Sequence, residues 1–139
     1  MQPDVAFFGE KDYQQYLVIK KMTESLKLNT RIICVKTVRD RNGLPLSSRN
    51  SYLSSKEFKI AIKINKLLKK LPPLIRTKLK INKILNHTKK VLIDHGVDKV
   101  DYLTVLNDDL SVRKKISDKS RIFIAAKIGN TRLIDNIKI

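Results

Sequence analysis

Apolar residues fall along this chain in two rhythms, and the places where one gives way to the other predict its elements. Residues 5–8, Val-Ala-Phe-Phe, form a short apolar run ending at Gly9 with helix-compatible residues behind it, so strand, tight turn and helix are expected in that order. Tyr13, Leu17, Met22 and Leu26, with Tyr16 and Ile19 beside them, read as the apolar stripe of that helix, which should end near Leu28 and Asn29. Residues 30–38 are rich in Ile, Val and Thr and read as a strand, after which Arg39, Asp40, Arg41, Asn42 and Gly43 supply turn chemistry. Ser54 and Glu57 stand at capping-box spacing, so a helix should begin at about Ser55, with Phe58, Ala61, Ile62, Ile64, Leu67 and Leu68 on its apolar side. Leu71-Pro72-Pro73 should stop it, since neither proline has an N–H to give. A further amphipathic helix is expected over residues 80–95, with Gly96 as its C-terminal cap.

Alternation returns in the last third. Residues 100–106 read as a strand, residues 110–116 as a short helix in one reading, and residues 121–128 and 131–137 as a hairpin turning on Gly129-Asn130. The expected class is α+β, a small antiparallel sheet with helices. Residues 1–28 stand apart as one strand-helix unit of something parallel, and a single such unit has no neighbour on which to bury its strand. The expected division is therefore residues 1–28 and residues 29–139.

Composition adjusts this picture in a few places. The chain has 139 residues, enough for one ordinary domain with roughly two thirds of its unfolded surface buried. No apolar run approaches the roughly 18 residues that a membrane span needs, and residues 1–4 lack the pattern of a secretory signal, so a cytoplasmic location is expected. Cys34 lies inside an apolar run and reads as a small buried hydrophobe. His87 and His95 have no Cys, Asp or Glu at ligand spacing on the same face, so no metal site is expected. Thirty basic against 13 acidic residues give a net charge of +17, which raises a polyanionic partner. Much of the excess sits at helical spacing in residues 56–90 and aromatics are few, so a solvated helix face explains it more cheaply and nucleic acid is not expected as a partner.

Candidate chemistry is concentrated in two loops. Gly43-Leu44-Pro45-Leu46-Ser47-Ser48-Arg49-Asn50 opens on glycine and sets two hydroxyls beside a guanidinium, which suits the oxygens of a polyphosphate. Gly9, Glu10, Lys11 and Asp12 lie where a strand should end and a helix begin, where free backbone N–H groups favour an anion and Lys11 adds a mobile cation. Two phosphate-compatible loops in one small chain suggest one nucleotide site. Gln15, one turn further on, is either a solvated amide or a ligand contact.

The blocks Pro3-Asp4-Val5-Ala6, Phe8-Gly9-Glu10-Lys11-Asp12-Tyr13-Gln14-Gln15, Thr37-Val38-Arg39, Leu46-Ser47-Ser48-Arg49-Asn50 and Thr131-Arg132-Leu133-Ile134-Asp135-Asn136 resemble, in order, the C-terminal half of the pantothenate synthetases, the pantoate-β-alanine ligases. That resemblance implies adenylation of pantoate by ATP with loss of pyrophosphate, then displacement of AMP by β-alanine to give pantothenate. It implies ATP, taken with Mg2+, as a substrate and no tightly bound cofactor. Carried over by position, Gly9, Glu10, Lys11 and Asp12 match the first nucleotide loop, with Lys11 on the phosphates and Asp12 near the ribose. Gln15 matches the pantoate-binding glutamine and Val38 a residue whose backbone reads adenine. Leu46, Ser47, Ser48 and Arg49 match the second phosphate loop; Lys11, Ser47, Ser48 and Arg49 are the residues expected to assist the chemistry. Lys36 stands where the family has proline, and Pro45 where it has alanine. Residues 1–28 then correspond to the last strand-helix unit of a Rossmann-like domain whose His-x-Gly-His motif has no counterpart here.

Three readings follow. The chain is the C-terminal part of such an enzyme, inactive without an N-terminal half; or a basic module for nucleic acid; or a nonfunctional remnant of a split gene. Retention of Gln15 favours the first over the second, because nucleic acid has no use for a pantoate amide. Family members are commonly homodimeric through the other half, so no dimer by that route is expected.

Overall fold

The computed structural model of the chain describes residues 3–77, 80–112 and 116–139. It divides into two compact units, Met1–Val38 and Arg39–Ile139.

The first unit is a strand, helix and strand. β1 (Val5–Gly9) and β2 (Arg31–Val35) pair in parallel from Val5 opposite Arg31 to Gly9 opposite Val35. A 3₁₀ turn over Glu10–Asp12 leads into α1 (Tyr13–Ser25), which packs on both strands. The helix closes in a Schellman arrangement: Lys27, at φ +52, donates to the carbonyl of Glu24, and the N–H of Leu28 donates to that of Thr23. The Thr30 hydroxyl and the Arg31 N–H then donate to the carbonyls of Pro3 and Asp4, tying β2 beside the start of β1.

Two expectations change here. The division at residues 28 and 29 moves to Val38 and Arg39, because the strand assigned to the second domain is the parallel partner of β1. The stripe expected on α1 is two faces, not one. Nine residues at about 100° each put Met22 opposite Tyr13. Tyr13 and Thr23 are buried, while Val18, Met22 and Leu26 are exposed, Leu26 at 62%. Cys34 is half-buried.

The second unit is α+β. β3 (Lys99–Asn107), β4 (Ser120–Ile128) and β5 (Thr131–Lys138) form an antiparallel sheet in that order, with α2 (Ser55–Thr77) and α3 (Ile81–Asp94) packed on it. Leu68, Leu92, Ile122, Ile124 and Ile128 are almost wholly buried at this helix–sheet contact. The hairpin turns where expected, with Gly129 at φ +55. The capping box is closed in both directions: the Ser54 N–H and hydroxyl donate to Glu57 Oε2 at 2.8 and 2.7 Å, and the Glu57 N–H donates to Ser54 Oγ at 3.3 Å. Gly96, at φ +96, donates to Ile93 and lets Val97 reach back to Leu92, so it caps α3 as its position suggests.

Pro72 and Pro73 do not stop α2. The helix runs through both to Thr77. Leu71 and Ile75, on either side, are 3% and 1% exposed, and their burial outweighs the two missing N–H donors. The helix suggested over residues 110–116 includes residues 113–115, outside the described residues; Leu110 itself is in a turn at φ +65.

Candidate functional site

In the first unit Gly9 ends β1, Glu10, Lys11 and Asp12 form the 3₁₀ turn, and Gln15 lies exposed in the first turn of α1. Lys11 and Glu10 are half-buried, Asp12 exposed. At Gly9 the backbone is extended, φ −70 and ψ 132, and a Cβ would meet no atom within 4 Å. Nothing among the described residues demands glycine there. Val38, the last residue of this unit, is exposed.

The second loop belongs to the second unit, and its construction is local. The Asp40 carboxylate accepts from the N–H groups of Asn42 and Leu44 at 2.8 and 2.9 Å, an Asx turn that Gly43 completes at φ +85. Leu44 is buried, Pro45 forms a backbone bridge with Arg39, and Asn50 Nδ2 donates to the Pro45 carbonyl at 2.9 Å. Between those closed ends Leu46, Ser48 and Arg49 are exposed and Ser47 half-buried. Ser47 Oγ accepts from the Arg49 N–H at 3.2 Å as the N-cap of a 3₁₀ helix over Ser48–Tyr52. The loop is thus a short exposed segment on a fixed base. Pro45, where the resemblance led to alanine, is part of that base.

Arg49 also lines a cleft of about 710 Å³ with Tyr52, Glu57, Asn130, Thr131 and Arg132, none of which sequence reasoning placed in the site. Arg132 donates to Asp101 at 2.8 Å and lies over the Tyr102 ring at 6.0 Å. That hydrogen bond, and then the one from Lys99, hold the Asp101 carboxyl below its ordinary range. Gly9, Glu10, Lys11, Asp12, Gln15 and Val38 therefore stand in one unit and Leu46, Ser47, Ser48 and Arg49 in the other. Arg39 and Asp135, both in the sequence blocks that carry the resemblance, meet through two hydrogen bonds of 2.8 Å, a pairing that their spacing in the chain does not signal.

Three comparisons bear on what these loops serve. The family model described as pantoate-beta-alanine ligase matches residues 1–138. A pantothenate synthetase from Bradyrhizobium sp. is 41% identical over 140 residues, covering 99% of this chain and 49% of the relative. One from Buchnera aphidicola subsp. Acyrthosiphon pisum is 43% identical over 146 residues, covering 100% and 50%. Among solved structures, pantothenate synthetase from Thermus thermophilus superposes with a TM-score of 0.88 at 33% identity, over 99% of this chain and 50% of that one. The pantoate-beta-alanine ligase from Francisella tularensis, complexed with beta-gamma ATP and beta-alanine, gives 0.71 at 34% identity, over 99% and 44%. The chain spans about half the length of the relatives it matches. These similarities do not favour the nucleic-acid module.

Proposed function

The chain belongs to the pantoate-beta-alanine ligase family, and we propose that it is the C-terminal part of a pantothenate synthetase, working in the cytoplasm together with an N-terminal half. In the reaction a carboxylate oxygen of pantoate attacks the α-phosphorus of ATP and pyrophosphate leaves. The amine of β-alanine then attacks the acyl carbon of the pantoyl adenylate and AMP leaves, giving pantothenate. ATP enters with Mg2+ on its phosphates, as substrate.

Each candidate residue takes a role in that sequence. Lys11, the Ser47 and Ser48 hydroxyls and the Arg49 guanidinium stabilise the charge that gathers on the phosphates as pyrophosphate departs. Gly9 and Glu10 belong to the first nucleotide loop, Asp12 stands near the ribose, Val38 offers backbone to adenine, and Leu46 belongs to the second phosphate loop. Gln15 binds pantoate. The observation that carries the reading is the second loop, with exposed Ser48 and Arg49 held between the closed ends Pro45 and Asn50. A loop built in this way can present donors to a ligand while losing little further entropy.

What supports a partner half is the parallel pair. Parallel strands are ordinarily covered on both faces. α1 lies against β1 and β2, while Phe7 is 67% exposed and Val35 is exposed at the register position of Gly9. Positioning two substrates supplies much of such catalysis, so the chain alone should be nearly inactive. The test is pantoate-dependent exchange of pyrophosphate into ATP, by the chain alone and with an N-terminal half of a related enzyme added. Exchange only in the mixture is expected. Exchange by the chain alone would overturn the need for a partner, and a mixture that neither exchanges nor binds ATP would overturn the ligase reading.

A further inference from the structure

Asp135 is a carboxylate for which the proposed chemistry has no task, yet it is only 6% exposed and accepts four hydrogen bonds from three residues. Arg39 meets it with two parallel bonds, Nη1 to Oδ2 and Nη2 to Oδ1, each 2.8 Å. Nδ2 of Asn65, a residue of α2 that is 2% exposed, donates to Oδ2 at 3.2 Å, and the Asn136 N–H donates to Oδ1 at 2.8 Å. Burying a carboxylate is costly unless it is paired and hydrogen-bonded in this way, so the cluster calls for an explanation beyond chance pairing on a surface.

The explanation lies in where the other ends of the cluster point. Arg39 Nη1 also donates to the carbonyl of Gly43 at 3.1 Å, and Arg39 shares its backbone bridge with Pro45. Asn65 Oδ1 lies 2.6 Å from where a Cβ on Gly43 would stand, so the buried amide is pressed against the turn that opens the serine-arginine loop. β5, which carries Asp135, is an edge strand of the sheet and is in contact with the 3₁₀ helix over Ser48–Tyr52. All three side chains converge on the base of one loop.

We propose that Asp135 and Asn65 are positioning residues, which through Arg39 and Gly43 fix the base from which Ser47, Ser48 and Arg49 are presented. The consequence for catalysis rests on the ligase reading of that loop; the mechanical claim does not. It is tested by hydrogen exchange, read by mass spectrometry, on the 139-residue chain and its Asp135→Asn and Arg39→Lys variants. Exchange across residues 40–53, which include the Gly43 and Leu44 amides bonded to Asp40, should quicken by about tenfold, the worth of one charge-assisted hydrogen bond, while β3, β4 and α3 keep their rates. Unchanged exchange over residues 40–53, or equal quickening throughout the second unit, would overturn it. If Asp135→Asn fails to fold, Arg39→Lys, which keeps the charge and loses the two-pronged geometry, is read by the same criterion. In a complemented ligase the same variants should raise KM for ATP several-fold more than KM for pantoate. A parallel rise in both would overturn the catalytic consequence, and a negative ligase assay leaves the exchange result to decide the mechanical one.

Discussion

Replacing Pro73 with alanine should stabilise this protein, an outcome that follows from a helix that does not end where prolines would end it. α2 continues through Pro72 and Pro73, so the carbonyls of Leu68 and Lys69, four residues back, have lost their helical donors. In host helices proline is about 3 kcal/mol worse than alanine, a ceiling here because the ring has already been accommodated. The restored backbone hydrogen bond alone is worth about 1 kcal/mol. Pro73 is exposed, so little packing is lost with its ring, whereas Pro72 is half-buried and loses about 0.8 kcal/mol for each methylene fully uncovered. Pro73→Ala should therefore gain about 1 to 2 kcal/mol and Pro72→Ala about 1 kcal/mol less. Urea unfolding followed by far-UV circular dichroism measures both, and the order of the two variants matters as much as the sign. A lower midpoint for Pro73→Ala would refute the reasoning, because it would mean that the ring terminates or packs the helix instead of interrupting it.

Gly43→Ala should cost about 1 to 3 kcal/mol, since its φ of +85 is one that side chains resist and a Cβ would meet the buried Asn65 amide. Gly96→Ala has similar backbone strain but meets the movable Cδ1 end of Ile60, so it should cost less; denaturant titration of the pair tests the ranking. The bonds from the Ser54 hydroxyl and N–H hold the Glu57 carboxyl below its ordinary 4.5. Its contribution is complete above that unfolded-state value and is lost as pH falls through the lower folded-state one. Ser54→Ala should thus lie furthest below the parent chain near neutrality and approach it in acid; a constant gap would count against the carboxylate's part. Phe7→Ser should shift the stability of the isolated chain by no more than about 0.5 kcal/mol, because the ring is already in water, yet weaken complementation by an N-terminal half. Full complementation by this variant would remove Phe7 from the proposed docking face.

Local signals carried much of the fold into the sequence. The Ser54–Glu57 box, the Gly96 cap and the Gly129-Asn130 turn each need only a few adjacent residues, and each is found where it was expected. Decisions that depend on distant partners were not legible. Whether residues 31–35 join β1 or the later sheet turns on which edge is open, not on their own Ile and Val content. Pro72 and Pro73 were read from their own chemistry, while the burial of Leu71 and Ile75 that overrides it is a property of the assembled core. In the candidate site, Ser47, Ser48 and Arg49 could be picked out as donors for phosphate. The Arg39–Asp135 pair could not, because nothing in a one-dimensional pattern matches a guanidinium to a carboxylate near the other end of the chain.

The exposed Phe7 and Val35 of the β1–β2 pair give a reason to expect that this protein's behaviour depends on its concentration. Copies of the chain can cover Phe7 and Val35 for one another when no complement is at hand, and unpaired edges and apolar faces invite such association. Self-association and productive pairing then compete for the same surface. If the chain works with an N-terminal half as proposed, the yield of complemented enzyme would follow the ratio of the two halves, not the amount of either.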